Sequence, residues 1–301
     1  MIVRRLMAVV IAVSLIGGAV LIRRELERDD PSGPSAGDIT MLVCAVELAA
    51  ACGAVTELPV TIEEAGTTLD RLADADADST SILWLTFDPF PAMADSLRTA
   101  ARLPATTFQA EAIASSPIAL VAPTSVISTI GETCGTEPTW QCVAGLDLRI
   151  GFARTPTSGT GLLGLVQAAL GFDPAGSPAF DDAQFQVWLR NLVRSVAPSQ
   201  LSSGTAIDTL QTRPSSMDVA VGTVAQLGNG RRSDFGVAYA EPMIRADVVL
   251  AAPSGAELPD EVARQLREGL VAGGWEEPDP SSSALDARTV LAIRALWEQL
   301  R

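Results

Sequence analysis

After residue 38, short apolar blocks alternate along most of the chain with segments in which the apolar residues have the spacing of a helix. The apolar blocks predict buried strands at Ile39–Val46, Val60–Glu64, Ser81–Thr86, Ile118–Ala122, Leu148–Ala153, Phe235–Ala240 and Ala246–Ala252. Apolar positions three or four residues apart predict helices at Thr67–Ala77, Asp95–Ala101, Leu162–Leu170, Asp182–Ser195, Ala206–Gln211, Pro259–Ala272 and Leu285–Leu300. This alternation predicts βαβ units and parallel sheets, over a length sufficient for two lobes.

The longest apolar run, Leu6–Ile22, lies between two Arg-Arg pairs. As a helix it would extend about 26 Å, and arginines at both ends can reach the membrane interfaces. We expect residues 1–28 to be a transmembrane anchor with basic flanks, followed by a Pro/Gly/Ser linker at 29–38. A cleaved secretory signal is the alternative. The domain at 39–301 would then be extracytoplasmic, on a single-pass protein of the cell membrane.

Four cysteines form two close pairs in the sequence, and we expect the disulfides Cys44–Cys52 and Cys134–Cys142. Four cysteines allow three connectivities, and buried unpaired thiols are a further alternative. A zinc site is disfavoured because neither spacing is C-x-x-C and the chain has no histidine. Disulfides fit an oxidising compartment outside the cytoplasm.

The charge of the chain excludes several classes of function. The net charge is −15, and because residues 1–28 carry +3, the remainder carries −18. Such a body offers no basic surface for nucleic acid. The sequence has neither histidine nor lysine, so it lacks an imidazole base, a Schiff-base lysine and a P-loop. We expect no enzyme, no cofactor and no metal; a carboxylate-pair glycosidase is a minor alternative.

A turn rich in hydroxyls and glycines, Arg154–Gly161, joins a predicted strand to a predicted helix. Backbone N–H groups and hydroxyls at a helix amino end form a receptor for an anion or carboxylate, although simple helix capping is the alternative. Strand-end turns of an open α/β sheet converge on one edge, so other turns could face this one. The candidate ligand-binding residues are Gly66, Thr67, Thr68, Arg154, Thr157, Ser158, Gly159, Thr160 and Asp218.

The order of these segments resembles that of type II periplasmic solute-binding proteins, in particular the molybdate/sulfate-like branch. The segments that carry the resemblance are ITMLVCA (39–45), EEAGTTLDRL (63–72), SPIALVAP (116–123), LRIGFARTPTSGTGLLGLVQAAL (148–170) and RADVVLAAPSGAELPDEVARQLREGL (245–270). The resemblance implies two α/β lobes, joined by two crossovers, that close over a ligand. Lobe I would comprise about 38–116 and 250–301, and lobe II about 117–249.

The resemblance implies a binding domain that captures a small polar or anionic ligand, for transport through a permease or for sensing. The anchor predicted at Leu6–Ile22 would tether this domain to the membrane. One departure from the family pattern is Glu47, which puts an acid after the first strand, where an oxyanion would lie. Repulsion from Glu47 would weaken anion binding unless the side chain points away. The alternative is a relative that has lost small-molecule binding and serves as a cell-surface scaffold for a protein partner.

Overall fold

A computed structural model describes residues 39–77, 79–172, 183–195, 205–228, 234–279 and 285–300. The expected anchor at Leu6–Ile22 and the expected linker lie outside the described residues. Within the described ranges, no helix is both long enough and apolar enough to cross a bilayer.

The described residues form eight strands and ten α-helices. The strands are β1 (Met41–Ala45), β2 (Val60–Glu63), β3 (Ile82–Phe87), β4 (Phe108–Pro123), β5 (Ile150–Gly151), β6 (Val219–Thr223), β7 (Phe235–Ala238) and β8 (Arg245–Pro253). The helices are α1 (Ala49–Cys52), α2 (Ala65–Ala73), α3 (Phe90–Ala100), α4 (Thr124–Cys134), α5 (Trp140–Gly145), α6 (Gly159–Leu170), α7 (Ala183–Ser195), α8 (Ala206–Thr212), α9 (Asp260–Ala272) and α10 (Ala287–Leu300). Short 3₁₀ helices, Val46–Leu48 and Val224–Leu227, follow β1 and β6.

The strands are ordered β2-β1-β3-β8-β4-β6-β5, with β7 also paired to β4. The 16-residue strand β4 contributes to two sheets. Its first part, Phe108–Pro117, pairs with β8 and completes sheet A, which also holds β1, β2 and β3. From Ile118 onward it pairs with β6 and β7 and belongs to sheet B, together with β5. The strand changes its partners at Pro117–Ile118, which makes it a crossover between the sheets.

The predicted parallel pairing is correct for only part of the structure. β1 is parallel to β2 and to β3, and β5 is parallel to β6. β8 is antiparallel to both β3 and β4, and β4 is antiparallel to β6 and β7. The antiparallel pairs all involve β4 or β8, and β4 passes directly from one sheet to the other without a helical crossover.

One hydrophobic core extends across both sheets. Every residue of β3 is buried, as a strand covered on both faces requires. The same buried cluster contains Phe87 of sheet A together with Phe152 and Leu162 beside sheet B. Helix α10 contacts elements beside both sheets. Arg294 forms two hydrogen bonds to Asp70 of α2, beside sheet A, and the ring of Trp297 lies 6.3 Å from that of Phe152, beside sheet B. The sheets are therefore joined by packed side chains as well as by β4.

Both expected disulfides are confirmed. Cys44 pairs with Cys52, with Cα atoms 6.6 Å apart, and Cys134 pairs with Cys142 at 5.8 Å. Cys134 ends α4 and Cys142 lies in α5, with the non-helical residues 135–139 between the two helices. The Cys44–Cys52 disulfide closes a nine-residue loop that contains Glu47.

We predict that replacing Cys44 and Cys52 with alanine lowers the free energy of unfolding by at least about 2–3 kcal/mol, because the unfolded chain gains loop entropy. Denaturant unfolding under oxidising conditions would measure the loss. The matched control is the Cys134→Ala, Cys142→Ala variant, since that pair has the same sequence separation of 8. Cys44 and Cys52 are fully buried, so we expect the larger loss for their variant; equal losses would contradict a packing contribution.

Candidate functional site

The turn between β5 and α6 has the geometry of a helix cap. The backbone N–H groups of Thr157 and Ser158 both donate to the carbonyl of Arg154, at 3.0 and 2.7 Å. Ser158 is the N-cap residue, and its Oγ accepts from the N–H of Gly161 at 3.0 Å. The capping alternative is therefore correct for Ser158. The hydroxyl hydrogen of Ser158 remains available to an acceptor above the helix end.

That acceptor is the carboxylate of Glu47, which lies in the 3₁₀ turn after β1. Its Oε1 accepts from Ser158 Oγ at 2.7 Å and from the backbone N–H of Thr160 at 3.2 Å. Its Oε2 is enclosed and has no hydrogen-bond partner among the described residues. The predicted anion receptor at the amino end of α6 is thus occupied by a carboxylate of the chain itself.

Burial raises the pKa of Glu47 above its usual range. The hydrogen bond from Ser158 and the backbone N–H groups at the start of α6 oppose this shift by stabilising the charged form. No ion pair to Glu47 is found among the described residues. The carboxylate is held by hydroxyl and backbone donors at a helix end, the kind of receptor that the sequence predicts for a ligand.

The second predicted turn, at the start of α2, directly contacts the first. The backbone N–H of Gly66 donates to the carbonyl of Thr157 at 2.7 Å, and a Cβ built on Gly66 would lie 2.6 Å from Thr157 Cα. Thr68 is buried and its Oγ1 has no partner in the described structure, whereas Thr67 is exposed. The two turns converge as predicted, but they pack backbone against backbone.

Two further contacts close this region. The ring of Phe87, at the end of β3, packs so tightly against Gly159 that a Cβ there would clash with it. The guanidinium of Arg154 lies 3.9 Å from the carboxylate of Glu64, on a partly exposed edge. Sheet A and the amino end of α6 therefore meet through residues at or just after the carboxyl ends of β1, β2 and β3.

Asp218, predicted to point into the same cleft, lies elsewhere. It immediately precedes β6, and its carboxylate is bound by the guanidinium of Arg149 at 2.8 and 3.0 Å. This hydrogen bonding lowers the pKa of Asp218. The receptor turn follows the carboxyl end of β5, which is parallel to β6, so Asp218 is at the opposite end of the strands.

Two residues at the carboxyl end of β6, the end beside the receptor turn, were not predicted from the sequence. Thr223 caps the following 3₁₀ helix, and the amide of Gln226 donates to Thr160 Oγ1 at 3.3 Å. The spacing Thr223-Val-Ala-Gln226 is a capping box and could have been recognised as the start of a helical turn. The position of Gln226 against Thr160 depends on tertiary packing that a single sequence does not show.

A second acidic group lies at the same edge of sheet A. Asp88 follows β3 as Glu47 follows β1, and burial followed by the charge of Asp247 raises the pKa of Asp88. Asp247, on β8, accepts from Ser115 Oγ at 2.6 Å, and Arg245 donates to the same hydroxyl at 2.8 Å. The edge therefore carries three carboxylates, which disfavour a multiply charged anion unless they are protonated or paired.

Comparison with solved structures identifies the fold. A periplasmic thiamin binding protein superposes with a TM-score of 0.57 at 12% identity, covering 90% of this chain and 98% of that protein. Iron-bound HitA from Pseudomonas aeruginosa gives 0.55 at 14%, covering 88% and 99%. The sulfate-binding protein SubI from Mycobacterium tuberculosis H37Rv gives 0.51 at 14%, covering 81% and 88%. No protein-family model matches the chain, and no curated protein matches it in sequence.

These similarities show a mixed α/β, two-lobe fold of the periplasmic-binding-protein type. The neighbours are type II periplasmic solute-binding proteins, and none of the three is described as an enzyme. Thiamin, iron and sulfate differ greatly in chemistry, so the fold does not select a ligand. The molybdate/sulfate-like branch stays a prediction.

We predict that the stability of the wild-type protein relative to Glu47→Gln falls as pH rises. A pKa raised in the folded state means that folding favours the protonated acid. The resulting stabilisation is present below the ordinary value of 4.5 and is lost as pH increases through the raised value. Glutamine does not titrate, so the difference in melting temperature between the two proteins, measured from about pH 5 to pH 8, isolates this effect. A difference that is constant with pH would contradict the prediction.

We predict that Gly66→Ala separates the two turns and costs about 1–3 kcal/mol of stability, because the new Cβ would overlap the backbone of Thr157. Gly131→Ala in α4 is the matched control, since nothing lies within 4 Å of its Cβ position. That helix substitution should be neutral or stabilising by about 0.5–1 kcal/mol. Denaturant unfolding measures both variants, and a stable Gly66→Ala protein would show that the contact is not tight.

Proposed function

We propose that this protein is an extracytoplasmic solute-binding domain that captures a small polar or anionic ligand by closure of its two lobes. The observation that carries the proposal is the carboxylate held at the amino end of α6. A helix end that holds one carboxylate with a hydroxyl and a backbone N–H has the donors that a ligand of similar chemistry needs. The fold is one that its solved neighbours use to bind small molecules.

The proposed ligand-contacting residues belong to the two converging turns. They are Gly66, Thr67, Thr68, Arg154, Thr157, Ser158, Gly159 and Thr160. Asp218 is left out because it lies at the other end of β6, and Gln226 is added because its amide reaches Thr160. Lobe I would be built on sheet A, from about 38–116 and from β8 to the C-terminus, and lobe II on sheet B.

The proposed location is the outer face of the cell membrane, with Leu6–Ile22 as a single-pass anchor. Two disulfides in the body support an oxidising compartment. The acidic body, at −18, favours a partner with a cationic surface. We propose a permease or a surface protein as this partner, with transport and sensing as the two outcomes of ligand capture.

The test is thermal unfolding of the protein against a panel of oxyanions, small carboxylates, amino acids and sugars. A ligand at 100 times its Kd adds about 2.7 kcal/mol to the stability of the folded state. For a domain of this size we expect the melting temperature to rise by roughly 5–10 °C. A panel that causes no shift in a cooperatively folded protein would contradict solute capture within these classes.

The variant Ser158→Ala separates binding from stability. We expect it to lose at least tenfold in affinity for any ligand found, because it removes a hydroxyl donor, and to lose about 1 kcal/mol as a helix cap. Thr205→Ala is the matched control, since Thr205 caps α8 in a capping box, away from the converging turns. Thr205→Ala should lose only the contribution of a cap to stability, whereas Ser158→Ala also loses the hydrogen bond to Glu47, and Thr205→Ala should leave affinity unchanged. Equal affinities for the two variants would remove Ser158 from the site.

A cell-surface scaffold is the second candidate, and the filled cleft favours it. The region where a ligand would lie is occupied by Glu47, by Phe87 and by the contact between Gly66 and Thr157. A scaffold needs a fixed surface rather than an opening cleft, so it predicts that no small molecule shifts the melting temperature. It also predicts that Gly66→Ala alters partner binding only as far as it alters stability.

A further inference from the structure

The burial of the Glu47 carboxylate requires a physical explanation. Removing a carboxylate from water is costly unless hydrogen bonds or an opposite charge compensate. In the described structure no cation pairs with Glu47, and the compensation comes from Ser158 Oγ, Thr160 N–H and the amino end of the twelve-residue helix α6. These are the groups of a carboxylate receptor, and Glu47 is the carboxylate that they hold.

The loop that carries Glu47 is held in position at both ends. Cys44 is the penultimate residue of β1 and Cys52 ends α1, and their disulfide closes the loop between them. Both cysteines are fully buried in the core of sheet A. A carboxylate presented on such a short closed loop loses little entropy when it binds, because the loop has few other conformations. Glu47 therefore acts at the receptor with a high effective concentration.

We propose that Glu47 is a tethered substitute for the ligand, which occupies a receptor for small carboxylates at the amino end of α6 and holds the lobes closed when no ligand is bound. The inference rests on the proposed function in one respect, that a free ligand would use the same donors. It adds the ligand class, a compact monocarboxylate, and a mechanism, competition between the ligand and the side chain of Glu47.

The hydrogen bonds of Glu47 join elements of the two proposed lobes. Glu47 belongs to the edge of sheet A, whereas Ser158 and Thr160 follow β5 of sheet B. The hydrogen bonds of Glu47 therefore cross between the lobes, as those of a captured ligand would. The amide of Gln226 extends the same network to the end of β6 through Thr160 Oγ1.

The experiment is chemical rescue of Glu47→Ala by acetate. This substitution deletes a CH₂–COO⁻ group, and acetate is its free counterpart. We expect the melting temperature of the variant to rise with sodium acetate along a saturating curve, at constant ionic strength set with sodium chloride. We expect acetate to bind the variant at least tenfold more tightly than it binds the wild-type protein, in which the receptor is occupied.

The matched control is Glu64→Ala, which removes an acid from the neighbouring turn. Glu64 lies 3.9 Å from Arg154 and has no hydrogen bond to the start of α6 in the described structure. The Glu64→Ala variant should not gain acetate binding. Glu47→Gln is the second variant, because it keeps the shape and fills the receptor; it should fold and show no acetate response. Acetate responses of equal size in Glu47→Ala and Glu64→Ala would overturn the inference.

The remaining outcomes are also decisive. If Glu47→Ala folds only when acetate is present, the inference is supported; if it fails to fold at every acetate concentration while Glu47→Gln folds, Glu47 is a structural residue and the inference is wrong. If the wild-type protein binds a ligand of the panel but acetate does not bind Glu47→Ala, the proposed solute binding is supported. The inference that Glu47 substitutes for the ligand is then wrong. If Glu47→Ala binds acetate and the panel has no effect on the wild type, the receptor is real and solute capture fails.

Discussion

The hydrogen bonding of Glu47 to the amino end of α6 is the interaction around which the contacts between the strand-end turns are arranged. It joins the turn after β1 to the turn after β5, and Gln226 extends it to the end of β6. The Gly66–Thr157 and Phe87–Gly159 contacts lie beside it and require the same close approach. A change that separates Glu47 from Ser158 would therefore act on all three contacts together.

The glycines of the receptor turn show why its sequence is ambiguous. A run of glycine, serine and threonine before a helix is expected both where a ligand approaches the backbone and where another segment of chain does. Here Gly66 and Gly159 admit the backbone of Thr157 and the ring of Phe87. The receptor donors and the convergence of the turns followed from local pattern, whereas the identity of the occupant required the three-dimensional structure.

Much of the fold could be predicted because local pattern and tertiary packing agree. The buried runs at β1 and β3, the amphipathic helix α9 and both disulfides follow from apolar spacing and from close cysteine pairs. Helix α4 was missed because it is rich in β-branched residues. The first half of β4 was missed because most of its residues from Phe108 to Ala112 are exposed and give no apolar run. Asp218 was assigned to the wrong end of β6, because the sequence pattern does not show which end of this strand lies beside the receptor turn.

The charge distribution limits which ligands could replace Glu47. Arg154, in the turn that precedes α6, is half exposed and already faces Glu64. Asp88 and Asp247 add negative charge along the edge of sheet A. A receptor made mainly of hydroxyl and N–H donors suits a single negative charge better than two. In the proposed mechanism, opening the lobes would expose the apolar contacts around Phe87 and Trp297. An incoming ligand would then have to supply binding energy for both the displacement of Glu47 and this opening. A compact group with one carboxylate and further hydrogen-bonding atoms meets these conditions better than a divalent oxyanion.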